Sequence, residues 1–252
     1  GNNVKFSGEW IRELIDLNGG VSEVYKLLNL TSKKVSDYRY NCSAPCWVIR
    51  KLYKPDFKTH LKLMRKGSIP TKITPDLMYL LGILAGDGHL RYNYKDDHVS
   101  TIHLSNSDQN IVKEYKRILK DQFEIEDIKY DEENDYVFNS SPIGNLFYKM
   151  GIPIKDKSHT LFVPSYLISM PKDYIASYLR GLFDSDGHVH LVQSGKQISY
   201  YTFSKKMIAG VKYLLLRLGI QATYRYKDDG THELTISDRD ALDRFKEIID
   251  LN

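Results

Sequence analysis

A nine-residue segment occurs twice in this chain, and each copy ends in Asp-Gly. The first is Leu80-Leu81-Gly82-Ile83-Leu84-Ala85-Gly86-Asp87-Gly88, and the second is Leu179-Arg180-Gly181-Leu182-Phe183-Asp184-Ser185-Asp186-Gly187. Asp87 and Asp186 are 99 positions apart, and so are Ser105 and Ser204. A constant offset marks a duplicated unit, so the fold has to accommodate two similar halves about a pseudo-twofold axis. Such an axis brings Asp87 and Asp186 together. Two carboxylates meeting there predict a shared divalent-metal site.

Each copy reads as a helix with a face of small residues. Gly82 and Gly86 share one helical face, as do Gly181 and Ser185, and small side chains there let two helices approach closely. Leu81, Leu84, Leu182 and Phe183 cover the remaining surface. Gly88 and Gly187 are expected to close the helices in the left-handed conformation. Asp87 and Asp186 then lie at the negative ends of two helix dipoles, which is unfavourable unless a cation offsets them.

On these residues the chain resembles the LAGLIDADG homing endonucleases, in the single-chain form with two repeats. The resemblance covers residues 74–252. It implies an α+β fold of two pseudo-symmetric αββαββα repeats, 74–168 and 169–252, whose antiparallel sheets form a saddle in the DNA major groove. It also implies a monomeric, site-specific endonuclease that hydrolyses both strands of double-stranded DNA at a long target. Mg²⁺ is the implied cofactor. Mn²⁺ is expected to substitute, and Ca²⁺ to support binding without cleavage.

The family's metal ligands match Asp87 and Asp186, helped by the main-chain carbonyls of Gly86 and Ser185. Polar residues after the motif order water in the family. Ser105 and Ser204 hold that position, followed by Asn106 and Lys205. A basic residue near the metals in each half would be Lys157 and then Lys205 or Lys206. Ala85 stands where the second copy has Asp184, at a position that is structural in the family. The outward strand alternates would touch DNA: Arg91, Asn93, Lys95, His190, Gln193, Tyr200, Tyr224, Arg225 and Lys227. The Asn93 amide suits a bidentate pair with an adenine edge. Two alternatives use the same scaffold, a non-cleaving DNA-binding transcription regulator and an intron RNA maturase. Both aspartates are kept, which disfavours the first; sequence does not separate the second. The chain begins at Gly1 and ends Leu251-Asn252 without the terminal nucleophile and His-Asn pair of self-splicing. The expectation is therefore a free-standing enzyme or the endonuclease portion of an intein.

Charge separates the N-terminal region from the rest. Of the 36 Lys/Arg and 32 Asp/Glu, residues 1–72 hold 14 and 6, a balance of +8, which leaves 22 against 26 elsewhere. A basic module points to a polyanionic partner. Val21, Val24, Leu28, Leu30, Val35 and Tyr38 fit the apolar skeleton of a helix-turn-helix over residues 1–56. Helix two runs from Ser22 to Leu28, Asn29-Leu30 is the turn, and Thr31 caps a recognition helix from Ser32 to Tyr40. Lys33, Lys34, Ser36, Asp37, Arg39 and Tyr40 form its exposed face, suited to phosphates and base edges. Residues 57–73 read as a basic linker punctuated by Pro and Gly. The eight acids from Asp121 to Asp135 are expected to face solvent or a flank away from the phosphates.

After each motif the pattern repeats. His89–Tyr94 and His98–Ser105 alternate as paired strands, Gln109–Gln122 is an amphipathic helix, Ile128–Asn139 is a hairpin through Glu133-Asn134, and Pro142–Met150 is a helix. The second half gives His188–Val192, Gln197–Ser204, Lys205–Leu218, Gln221–Ile236 and Asp240–Leu251. The order is hairpin-rich and free of βαβ units, so the sheets are antiparallel with helices on one face. The chain is 42% hydrophobic with no long apolar run, so no membrane span is expected. Cys42 and Cys46 have no metal-site spacing around them. A reducing cytoplasm is the expected compartment.

Overall fold

The computed structural model describes residues 8–41, 44–53, 60–62, 67–94, 98–130, 135–192 and 195–249. It divides into two compact units, 1–72 with 119–126, and 73–118 with 127–252.

The first unit contains helices α1 (Gly8–Leu17), α2 (Val21–Leu28), α3 (Ser32–Asn41) and α4 (Cys46–Leu52). Ile11, Leu14, Ile15, Val24, Leu28, Val35, Val48 and Leu52 form its buried core. Asn29 ends α2 at φ 53°, and the Leu30 N–H returns to the Tyr25 carbonyl at 2.9 Å, so the chain turns sharply into α3. Thr31 caps α3 by accepting from the Lys34 N–H at 3.3 Å. Asn18 ties α1 to α4, donating to the carbonyls of Leu14 at 2.8 Å and Leu52 at 2.9 Å. Part of the stretch read as a linker is a two-stranded ribbon, β1 (His60–Lys62) against β2 (Ser68–Pro70). Residues 63–66, between them, lie outside the described residues, as does Cys42. Gly67 adopts φ +92° and packs against Phe123 and Ile125, which explains why residues 119–126 cluster with this unit.

The second unit holds both repeats apart from residues 119–126. The first runs α5 (Pro75–Gly86), β3 (Gly88–Asn93), β4 (His98–Ser105), α6 (Gln109–Phe123), β5 (Lys129–Tyr130), β6 (Asp135–Asn139) and α7 (Ser141–Lys149). Two short helices follow, α8 (Lys157–Thr160) and α9 (Ser165–Ile168). The second repeat runs α10 (Lys172–Asp186), β7 (Gly187–Val192), β8 (Gly195–Thr202), α11 (Lys205–Arg217), β9 (Thr223–Tyr226), β10 (His232–Ile236) and α12 (Arg239–Ile249). The order αββαββα therefore occurs twice. Each repeat forms a four-stranded antiparallel sheet, β3-β4-β6-β5 and β7-β8-β10-β9. The expected hairpin turn at Glu133-Asn134 lies outside the described residues.

α5 is buried from Leu77 to Ala85, as an all-round apolar sequence demands. Thr74 starts it, accepting from the Leu77 N–H at 3.1 Å, with Pro75 in the first turn. Its partner is α10. A Cβ on Gly82 would stand 2.2 Å from the Tyr178 carbonyl oxygen, and one on Gly181 would stand 2.1 Å from that of Tyr79. The two backbones touch where the side chains are absent. Asp184 also crosses this interface, its nearly buried carboxylate accepting from the Tyr79 hydroxyl at 2.8 Å.

The expected left-handed glycines do not occur. Gly187 is extended at φ −79°, and Gly88 opens β3 directly after Asp87 at φ −97°. Each helix runs straight into its strand. Glycine is needed there because a Cβ would meet the preceding turn, 2.6 Å from Leu84 Cα or 2.4 Å from the Phe183 carbonyl oxygen. Among the described residues, no helix is long and apolar enough to cross a membrane.

Candidate active site

α5 and α10 deliver Asp87 and Asp186 to one place. The Asp186 carboxyl carbon is 3.2 Å from where a Gly86 side chain would begin. Burial, helped by the Asp186 charge and opposed by Asn106 and Lys157, pushes the Asp87 carboxyl up to about 6. The Asp186 carboxyl is raised as well, by burial. One cation opposes them. Lys157, at the start of α8, donates to the Gly88 carbonyl at 2.6 Å and to the Gly86 carbonyl, and it feels both aspartates. Burial nevertheless holds its ammonium below the usual lysine range. Two carboxylates against one ammonium leave the site short of positive charge. Oxygen donors with excess negative charge are the ligand chemistry of a hard dication such as Mg²⁺.

The two halves dress their aspartates differently. Asn106 donates its amide to Asp87 at 2.5 Å, and the Ser105 N–H bonds the Asp87 carbonyl at 3.0 Å. Beside Asp186 stands His188, whose Nδ1 is 3.1 Å from the Asp186 carbonyl. Lys157 and the neighbouring His188 ring both act to lower the Asp186 carboxyl, against the burial that raises it. Lys205 and Lys206, candidates from sequence, are exposed in the first turn of α11. The offset that pairs Asp87 with Asp186 also pairs His89 with His188, so sequence did hold a signal for the histidine. Ser204 is corrected too. It is 1% exposed and caps α11, accepting from the Met207 N–H and donating to the Leu161 carbonyl at 2.5 Å. That is a structural duty, with no free hydroxyl to hold water. The Ser185 hydroxyl bonds back to the Gly181 carbonyl at 2.9 Å, within its own helix.

A cleft of 460 Å³ opens beside Asp186, lined also by Lys157, Tyr201, Lys227, Asp229 and Thr231. Lys227 reaches over the Tyr201 ring at 4.3 Å and lies 3.6 Å from Glu233. His190 faces the same side, its Nε2 3.3 Å from the Tyr201 hydroxyl. Arg225 is exposed opposite Glu233. Tyr200 faces the other way: it is 1% exposed and packs on Phe183. Its pairing with Gly187 leaves room for the ring, so Tyr201 takes the outward place. Tyr224 lies on the face opposite Arg225 and bonds His232 at 2.9 Å. On the first sheet, Arg91 is exposed and Asn93 half-buried beyond a bulge. Lys95 and Gln193 lie outside the described residues. Asp135, expected to face solvent, is instead buried, accepting from Ser105 and contacting His103.

In the first unit, Lys33, Lys34 and Tyr40 are exposed on α3, and Ser36 is half-buried. Arg39 makes a two-pronged pair with Asp16, at 3.2 and 3.1 Å.

The Asp87 shift fixes the sign of one pH effect. Its folded value of about 6 lies above the ordinary 3.8. The folded state therefore holds this proton more tightly than the unfolded chain. That stabilisation is complete below pH 3.8 and is lost as pH rises through 6. Without metal, Asp87→Asn should be more stable than the parent at neutral pH, and the gap should close towards pH 4. Urea midpoints across that range check it; a gap that widens in acid would contradict the assignment.

The family model described as a LAGLIDADG-like domain matches residues 74–142 and 173–250. Curated relatives include the glutamine–fructose-6-phosphate aminotransferase of Methanocaldococcus jannaschii, 30% identical over 91% of this chain. A probable translation initiation factor IF-2 from that organism is 27% identical over 68% of the chain, and a component of the A-type ATP synthase of Methanopyrus kandleri is 24% identical over 69%. The chain spans only 21%, 15% and 16% of those proteins. Among solved structures, the homing endonuclease I-DmoI in complex with DNA and Mn superposes with a TM-score of 0.53 at 18% identity, covering 71% of this chain and 98% of that one. I-DmoI with DNA and Ca gives 0.51 at 19% identity, covering 69% and 88%. These likenesses establish the fold.

Proposed function

This chain belongs to the LAGLIDADG-like domain family, and from that premise we propose that it is a site-specific endonuclease that cuts both strands of double-stranded DNA with Mg²⁺. The observation that carries the reading is the meeting of Asp87 and Asp186, one from each repeat, beside the half-buried ammonium of Lys157. A repeat that had lost its chemistry would have no reason to bury two mutually repelling carboxylates.

Asp87 and Asp186 would hold the metal, with the Gly86 and Ser185 carbonyls beside them. When bound, Mg²⁺ supplies charge neutralisation at the scissile phosphate and a more acidic water. Asn106 fixes the rotamer of Asp87. Lys157 is placed to offset charge building on the phosphate. In the folded chain its ammonium bonds the Gly86 carbonyl, so a metal using that carbonyl would share its oxygen with Lys157. Lys227, His190 and Arg225 line the second sheet's outward side, and Arg91 and Asn93 the first, as contacts for DNA. I-DmoI structures with DNA and with Mn or Ca support this choice of ligand.

The curated relatives support mobility. An aminotransferase, an initiation factor and part of an ATP synthase share no activity, yet each shares this segment. A segment common to unrelated hosts is a portable unit, in keeping with an endonuclease that spreads its own coding sequence within an intein or intron.

The first unit would extend the footprint. Replacing Lys33 and Lys34 by Gln should weaken binding and flatten its salt dependence, by roughly 0.9 in log–log slope for each lost phosphate contact. Affinity measured in Ca²⁺ across a salt series reads this directly. An unchanged slope would take α3 off the DNA. The function itself is tested by incubating a randomised duplex library with the chain in Mg²⁺, alongside selection for binding in Ca²⁺. One cut sequence, also enriched in Ca²⁺, is expected. Tight binding with no cutting in Mg²⁺ or Mn²⁺ would make the chain a regulator.

A further inference from the structure

The outward face of the first sheet carries a cluster that the aspartate pair does not use. His89 on β3 is the cross-strand neighbour of His103 on β4. Their rings stack with centroids 4.1 Å apart and planes 19° from parallel. Asp135 on β6 places one carboxylate oxygen 3.2 Å from His103 Nδ1, and its other oxygen accepts from the Ser105 hydroxyl. One ligand atom from each of His89, His103 and Asp135 lies within 4.8 Å of the other two. His103 is 5% exposed, and its Nε2 is buried with no hydrogen-bond partner.

We propose that His89, His103 and Asp135 form a binding site for a zinc-class transition-metal ion, separate from Asp87 and Asp186. Two imidazoles and a carboxylate are a donor set that suits zinc and its neighbours, whereas Mg²⁺ prefers oxygen alone. Three protein ligands leave a fourth position for water or an anion. Two bonds of about 2.0 Å at a tetrahedral angle put ligand atoms about 3.3 Å apart. His103 Nδ1 and the Asp135 oxygen already stand at 3.2 Å. A metal there would displace the proton that now joins them. His89 is exposed, so an ion has a way in, and its ligand atom already lies within 4.8 Å of those of His103 and Asp135. Ser105 holds the carboxylate from behind, as outer partners of metal ligands do. The three ligands come from three adjacent strands, so the ion would rivet β3, β4 and β6 together. The second sheet pairs His188 with Ser199, and among the described residues the cluster does not recur there.

The test uses the full chain, stripped with chelator, in an Asp87→Asn/Asp186→Asn background with excess Mg²⁺. Co²⁺ serves as a spectroscopic stand-in for Zn²⁺. One equivalent should bind with the visible absorption of a low-coordinate nitrogen and oxygen site, and Zn²⁺ should displace it and raise the melting temperature. His89→Ala, at an exposed position, should fold normally and weaken binding at least tenfold, about the scale of losing an outer partner. Asp135→Asn should do the same. Absence of Co²⁺ binding, or binding unchanged in His89→Ala, would overturn the proposal. The DNA-cleavage reading does not depend on either result.

Discussion

Asp87→Asn and Asp186→Asn are each expected to lower Mg²⁺-dependent cleavage of the target by about a thousandfold, or ~4 kcal/mol of transition-state stabilisation. Binding in Ca²⁺ should fall far less. The reason is geometric: on the proposed reading each carboxylate would belong to one shared site short of positive charge, so removing either would disable both half-reactions together. Supercoiled plasmid carrying the target gives the readout, since nicked and linear products separate. A variant that nicks one strand at the parental rate would show that the two aspartates work independently.

The second large effect is on stability. Gly82→Ala and Gly181→Ala should each cost about 3 kcal/mol or more, at the upper end for overpacking, because the new methyl meets backbone. The nearest atoms are the Tyr178 and Tyr79 carbonyl oxygens, at 2.2 and 2.1 Å, and backbone cannot rotate away as a side chain can. Gly230→Ala is the comparison. It sits at φ +86° with nothing within 4 Å, so it should lose only the conformational cost, about 1 kcal/mol. Urea unfolding of the metal-free chain ranks the three. Equal losses at Gly82 and Gly230 would mean that α5 and α10 do not touch as described.

Much of this architecture is legible in the residue order because duplication fixes it twice. The offset joining Asp87 to Asp186 located both helices, their small-residue faces and the strands after them. What the offset could not convey is where the repeats diverge. Ser105 and Ser204 hold equivalent positions. After Ser204, however, α11 begins at once with Lys205, whereas α6 waits until Gln109. The longer connection lets Asn106 turn back onto Asp87, while the shorter one commits Ser204 to capping. Tyr200 was misread because two tyrosines stand side by side, so alternation alone fits either facing. The deciding fact is a partner with no side chain, Gly187, on the neighbouring strand. The Asp135 network was hidden for a similar reason: its members come from three strands and share no sequence spacing.

The contact between α5 and α10 also has a bearing on ancestry. Two helices that meet largely through bare backbone, with the Tyr79–Asp184 bond as an added tie, ask little of one another. The seam tests for missing atoms at Gly82, Gly86, Gly181 and Ser185, and the peptide groups it presents are the same in every protein. A half with those few small residues carries a nearly universal coupling. Partners descended from different lineages could then be married without redesigning the join, leaving the sheets free to diverge towards unrelated targets.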